Sequence, residues 1–464
     1  MLPRISLNRL NEDTRTLVVM PCLLTERKQA MRMARHLAVL RAANPDPCLD
    51  FMLLGDFTDS AEETTPEDEE ILLAARLSIE ALNRQQGGGF LYLHRARKWD
   101  MGQRQYTGRE RKRGALEALN KLIAEGQCRD TFLYMSMDGK TLHGRYAYVI
   151  TLDADTFLPA GAAYKLVGTM LHPLQKGRVN VVQPRMEVSA DAVRTRTQKL
   201  LGGTGGADPY HLSVQDVYQD VFGEGSFVGK GIYAPEPWLK AMEGRLSSGR
   251  LLSHDLIEGE TAGSALADDI VLYDSHPASL SGWRKRLHRW TRGDWQLVPF
   301  LADGRLSFLS RHKIWDNLRR SLVSATQTVL LLIGAGLNLP GLFLLALPWP
   351  LRGMGQRLLL LPGKAQTTLD AIIRALWRQF VSHRNLLSWI TAAQTEDESG
   401  LPVSCQLFQL AAGAGMLALA MLPGGFTAGV IVGVGWIIVP LLARFFDAPA
   451  NRQQPMTAAQ KENV

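Results

Sequence analysis

The chain has 464 residues, 46% of them apolar and 21% charged, with a formal net charge of +7 and a sequence pI near 9.2. That size and apolar share exclude a small binding module and leave room for a catalytic domain plus something further. The positive balance suits an anionic partner, whether nucleotide, nucleic acid or lipid surface, without choosing among them.

In chain order, the N-terminal "MLPRISLNRLNEDTR" carries charges throughout and no apolar centre, so no signal peptide is expected and the polar domain is expected to be cytoplasmic. "TLVVMPCLL" reads as a first strand, about Glu26 to Ala42 as a helix, and "DFMLLGDFTD" as a second strand. "FLYLHRA" reads as a third strand, "RERKRGALEALNKLIAEG" as an amphipathic helix and "YAYVITLDAD" as another strand. This alternation predicts an α/β domain with a mainly parallel sheet, whose ligands gather beyond the carboxyl ends of the strands. Pro21, Asp56 and Asp153 are expected at such ends. From Gly202 the pattern becomes glycine-rich, with "GGTGGADPY", "QDVYQDVFGEGSFVGKGIY" and "LLSHDLIEGE". Cys22, Cys48, Cys128 and Cys405 stand apart without metal-ligand spacing, as reduced thiols do.

The expected organisation is a polar domain over 1–317 and a membrane segment over 318–350, as one kinked or two short helices around Asn338 and Pro340. A basic linker over 351–400, a transmembrane helical hairpin over 401–446 turning at Pro423 to Gly425, and a mobile tail over 447–464 follow. "HKIWDNLRRS", with Trp315, reads as an amphipathic connector. Arg352, Arg357, Lys364, Arg374, Arg378 and Arg384 on one flank, with Arg444 and Arg452 on the other, favour an even number of crossings by the positive-inside rule.

Asp153 and Asp155, one residue apart at a strand end, can share Mg²⁺ or Mn²⁺ and bridge a diphosphate. An acidic turn is the plain alternative. "DADT" also matches the Asp-x-Asp-x-Thr signature of haloacid-dehalogenase-type phosphatases, in which the first aspartate is phosphorylated, with Asp268 and Asp269 as a later acidic pair. That signature usually closes a first strand, whereas three strand signals precede it here. Asp56 can accept hydrogen bonds from a uracil or ribose, or be a turn residue. Lys112 and Arg113 beside Gly114 can approach phosphates, or form a solvated face. Asp255, near Glu258, suits the base that takes a proton from an attacking hydroxyl, with His254 as a group that tunes it or a structural residue. In "RKRLHRWTRGDWQ" the arginines can grip a diphosphate and Trp290 and Trp295 can face sugar rings; nucleic acid fits poorly beside an acidic site and apolar segments.

This order of motifs resembles the processive membrane glycosyltransferases with a GT-A fold, to which cellulose and chitin synthases belong. More narrowly, "DVYQDVFGEGSFVGKGIY", "LLSHDLIEG" and "HRWTRGDWQL" resemble the glycosyltransferase region of cyclic β-1,2-glucan synthases, over about Arg15 to Asn317. The resemblance implies a multi-pass, inner-membrane enzyme that moves glucose from UDP-glucose, with inversion, onto a growing glucan acceptor. It implies donor binding by Asp56, Lys112, Asp153, Arg289 and Trp290, metal binding by Asp153 and Asp155, acceptor binding by Gly225, Ser226 and Trp295, and Asp255 as base. Two positions depart from the wider pattern: Arg286 stands where Gln-x-x-Arg-Trp has glutamine, and Ser253-His254-Asp255 replaces Thr-Glu-Asp. Full cyclic glucan synthases are much longer, so a fragment, or a subunit working with a separate phosphorylase-like chain, is expected. An inactive membrane subunit is the remaining alternative.

Overall fold

The computed structural model describes residues 1–127, 129–189, 194–201, 217–245, 251–252, 254–348, 354–387 and 401–448. Cys128, "GGTGGADPY", Ser253 and the tail beyond 448 lie outside these ranges. Among the described residues ten strands form: β1 (Thr16–Leu24), β2 (Leu49–Phe57), β3 (Phe90–Arg95), β4 (Lys98–Asp100), β5 (Gln105–Thr107), β6 (Phe132–Met135), β7 (Tyr148–Thr151), β8 (Val181–Val188), β9 (Gly231–Tyr233) and β10 (Ser264–Asp274). Strands β4 and β5 make a separate hairpin, and the other eight form one sheet in the order β10-β8-β9-β7-β1-β2-β3-β6.

Alternate side chains of the central strands enter opposite cores, because successive residues on a strand point to opposite faces. Val18, Met20, Cys22 and Leu24 join the helices Arg27–Ala43, Pro66–Gln86 and Ala162–Leu171 in one cluster. Leu17 and Val19 join the helices Arg111–Glu125 and Pro235–Met242 in the other. The result is a three-layer α/β unit with β1 and β2 buried on both faces, which explains why they read as unbroken apolar runs. Pro21 lies within β1, opposite Leu54, and not at its end.

Two features of the sheet create the site. The chain passes β1, β2 and β3 outward in one direction, then resumes with β7 on the other side of β1, so the carboxyl ends of β1 and β7 form a switch point. Beyond β7, only β9 is reversed: it pairs antiparallel with both β7 and β8, while β8 and β10 pair parallel. The carboxyl ends of β7 and β10 and the amino end of β9 therefore meet on one edge.

After the sheet, the helix Phe308–Gly336 runs out of the polar domain. It stops where Asn338 takes a positive φ of 50° and Pro340 opens the short helix Pro340–Leu345. The stretch expected to be a linker carries the helix Met354–Trp377, whose Leu361, Ala365, Ala371, Ile372 and Ala375 are buried. Its basic residues lie on the remaining faces of an amphipathic pattern, and counting charge hid that period. The helices Val403–Ala420 and Ala428–Asp447 pack against each other as a helical hairpin. They approach closely at Gly413 and Gly433, where a Cβ on either would come within 3.0 Å of the other's carbonyl oxygen. Leu331, Phe343, Leu361, Met416 and Trp436 make the bundle's core. Among the described residues one helix, Val403–Ala420, is long and apolar enough to cross a membrane, and Ala428–Ala443 is apolar but shorter. Where several crossings were expected, the described residues offer one helix of that length. Cys22, Cys48 and Cys405 are buried free thiols.

Candidate active site

Asp153 lies two residues beyond the end of β7, in a turn closed by the Thr156 amide donating to the Asp153 carbonyl at 3.1 Å. One carboxylate oxygen accepts the Lys112 ammonium at 2.5 Å and the other lies 3.0 Å from the Lys230 ammonium. Lys112 occupies the second position of the helix Arg111–Glu125 and also donates to the Gly229 carbonyl at 2.7 Å. Lys230 immediately precedes β9 and donates to Asp274, at the end of β10, at 2.6 Å. The other oxygen of Asp274 accepts the Thr156 hydroxyl at 2.6 Å. The three strand ends are thereby laced by alternating charges. Burial raises the Asp153 carboxyl, but the two ammonium groups outweigh it and hold the group far below the ordinary carboxylate range. Burial likewise opposes the Lys230 charge, and Asp153 and Asp274 more than restore it, so its pKa is raised.

Asp155 differs from its neighbour: it is exposed, and it accepts the Ser275 hydroxyl just beyond β10. Asp255 opens the helix Asp255–Ala262 and lies against Gly229. At Gly229 φ is +82°, and a Cβ would sit 2.7 Å from an Asp255 carboxylate oxygen, so glycine is needed there twice over. Burial raises the Asp255 carboxyl, which Lys112 opposes and Asp153 reinforces. Glu258, one turn along the same helix, is raised by burial and by Asp255, with the Arg113 Nε 3.6 Å away pulling the other way. His254 is buried and held neutral, its pKa lowered to about 3 by burial and by Arg113. Arg289 and Trp290 come from the helix Leu280–Trp295. Burial and Arg286 lower the Arg289 pKa, while Asp153, Asp255 and Asp155 act in the opposite sense. The Arg286 guanidinium lies 4.7 Å from the centre of the Trp290 ring. Arg286, at the position occupied by glutamine in the wider pattern, thus braces the tryptophan as a cation.

The other expected residues are placed differently. Asp56 is buried and held fork to fork by Arg95, at 2.7 and 2.5 Å, and Arg95 also donates to the Arg109 and Arg111 carbonyls. Asp56 therefore braces the start of the helix that carries Lys112. Gly225 and Ser226 are buried: the Gly225 amide donates to the Ser264 carbonyl at 2.9 Å, and its Cα faces the backbone of Ala265 and Leu266. Trp295 packs with Leu251, Leu256 and Leu297 and donates its indole N–H to Ser321 at 2.8 Å, which makes it an anchor between helices. Asp268 and Asp269, the acidic pair of the phosphatase signature, are engaged by the Met1 amino group and by Arg4. Among the described residues, no three His, Cys, Asp or Glu side chains gather as a metal cage. Sequence reasoning missed Lys230 and Asp274. A lysine between two glycines, in a segment otherwise apolar, was the available signal for the first; the second depends on where β10 ends.

No protein-family model matches the chain. It is 34% identical over 448 residues to cyclic beta-(1,2)-glucan synthase NdvB of Rhizobium meliloti (strain 1021), with 84% of this chain and 16% of that protein covered. The chain thus spans about a sixth of its relative's length. The likeness extends past the polar domain, since 84% of 464 residues exceeds the 317 assigned to it. By sequence, the chain resembles the cyclic β-1,2-glucan synthases over most of its length.

Proposed function

We propose that this protein is a membrane-bound, inverting glucosyltransferase with a GT-A-type domain, which moves glucose from UDP-glucose onto a growing β-1,2-glucan. The observation that carries this reading is the joining of Asp153, Lys112, Lys230 and Asp274 beside Asp255 at the sheet's switch edge, in a chain similar to a glucan synthase. Two lysines and Arg289 suit a diphosphate, which brings negative charge to a place already lined with cations. Asp255 is the half-buried carboxylate beside them, and loss of solvation raises its affinity for a proton.

In the reaction, the Asp255 carboxylate takes the proton of an acceptor hydroxyl as its oxygen forms a bond to the anomeric carbon. The bond from that carbon to the diphosphate oxygen breaks on the opposite face, and the electron pair leaves with UDP, so the configuration inverts. Lys112, Lys230 and Arg289 hold the departing charge, and the Trp290 face orients a sugar ring. Asp56 acts through Arg95 by fixing the helix under Lys112.

The carboxylates suit Mg²⁺ or Mn²⁺ unequally. Exposed Asp155 would hold such a cation, and Asp153 would join it only if one of its lysines moved away. Such an ion would supply charge neutralisation on the leaving group. The product's linkage and length, and a phosphorylase-like partner, follow from the likeness to the longer synthase and belong to this proposal. The apolar helix Val403–Ala420 supports membrane association.

The test is transfer of labelled glucose from UDP-glucose by membranes carrying the full chain, with and without a chelator. Chelator-sensitive incorporation is expected. A phosphoryl group trapped on Asp153, with release of inorganic phosphate, would establish the phosphatase chemistry instead.

A further inference from the structure

The connector "HKIWDNLRRS" contains a lysine that its amphipathic pattern does not explain. Lys313 has no exposed side-chain surface, although it lies in the first turns of the long helix Phe308–Gly336. Its ammonium donates to Glu260 at 2.7 Å and to the Gly225 carbonyl at 2.8 Å, and lies 5.4 Å from the centre of the Tyr218 ring. The Glu260 side chain is 1% exposed. A dry ion pair is a costly way to join two helices when apolar packing would serve, and its usual return is a single defined arrangement.

We propose that Lys313 is a positioning residue for Asp255, linking the helix that leads into the apolar bundle to the helix that carries the base. Asp255 and Glu260 are the first and sixth residues of the helix Asp255–Ala262. At about 100° per residue they project on widely separated sides of one rigid rod. One end meets Gly229 and the lysines of the diphosphate site, and the other is held by Lys313. Gly225 gives a second hold, because it begins the segment that runs through Gly229 to Lys230. One ammonium therefore sets both the base and the loop against which the base rests.

This inference rests on Asp255 being the base, and the experiment separates the two. Turnover of UDP-glucose and UDP affinity are measured in membranes carrying the wild type, Asp255→Asn, Lys313→Met, Glu260→Gln and the Lys313→Met/Glu260→Gln double variant. Lys313→Met should lower kcat about tenfold, as a misplaced catalytic group does. KM for the donor and UDP affinity should change less than twofold, and the double variant should be no slower than the worse single one. Wild-type kcat in Lys313→Met, beside an inactive Asp255→Asn, overturns the positioning role alone. So does a parallel loss of kcat and UDP affinity in all three Lys313 and Glu260 variants, which marks a merely structural pair. Full turnover in Asp255→Asn, or none in the wild type, overturns both readings.

Discussion

On one side of the boundary between β7 and β9, β1, β2, β3 and β7 run parallel, with a helix joining β1 to β2 and another joining β2 to β3. On the other side β8, β9 and β10 mix directions, and the segments joining them are glycine-rich. The first side supplies Asp153 and the helix with Lys112, and the second supplies Lys230, Asp274 and Asp255. A regular parallel half thus provides one wall of the site, and the irregular half provides the groups that complete it. Turning β9 around is what lets a lysine at a strand's beginning meet aspartates at two strands' ends.

If the irregular half does the chemistry, Asp255→Asn gives the largest effect. Turnover should fall about a thousandfold, within the range expected of a general base, while UDP binding is retained. Isothermal titration with UDP beside a radiolabel assay measures both, and a variant with most of its activity would move the base elsewhere. Lys230→Met comes next. It leaves Asp153 and Asp274 facing each other with one cation fewer, and should cost about 3 kcal/mol, as loss of one member of a buried ion pair does. Denaturant unfolding reads that loss, and UDP affinity should fall with it.

The third variant concerns pH. The Glu258 carboxyl is raised above its ordinary 4.5, to about 8, by burial and by Asp255. The folded state therefore binds this proton more tightly than the unfolded state does. That contribution to stability is complete below about pH 4.5 and is lost as pH climbs through about 8. Glu258→Gln should flatten the decline across this window and leave the protein about 1 kcal/mol more stable at pH 8 than the wild type. Stability curves of the two that stay parallel from pH 5 to 8 would contradict the upward shift of the Glu258 carboxyl. The smallest effect belongs to the regular half. Thr65 and Asp68 form a capping box at the start of the helix Pro66–Gln86. Thr65→Ala should cost about 1 kcal/mol and leave kcat unchanged, which makes it the control for stability without chemistry.

The same division explains what the amino-acid sequence reveals. Strands β1, β2, β3 and β7 announce themselves because a parallel strand buried on both faces is a continuous apolar run, and "TLVVMPCLL" matches the bounds of β1. Strand β9 has three residues in a glycine-rich stretch, too short for any period to show, and β10 carries Asp268 and Asp269 in its middle. Asp153, Asp255, Lys112 and Arg289, singled out in the sequence by residue type and neighbouring motif, lie close to one another in the fold. The internal duties of Asp56, Gly225, Ser226 and Trp295 were not legible, since a buried partner such as Arg95 or Ser321 is set by tertiary approach across dozens of residues. In the bundle, charge counting suggested a linker where the spacing of Leu361, Ala365 and Ile372 marks a helix.

The central claim is that the laced carboxylates and lysines serve glycosyl transfer. It is tested most directly by supplying labelled UDP-glucose to membranes with the full chain and determining the anomeric configuration of the glucose in the product. The account predicts β-linked glucose in polymer from the wild type and none from Asp255→Asn. Product with the donor's retained configuration, or a donor left intact while phosphate esters are hydrolysed, would contradict it.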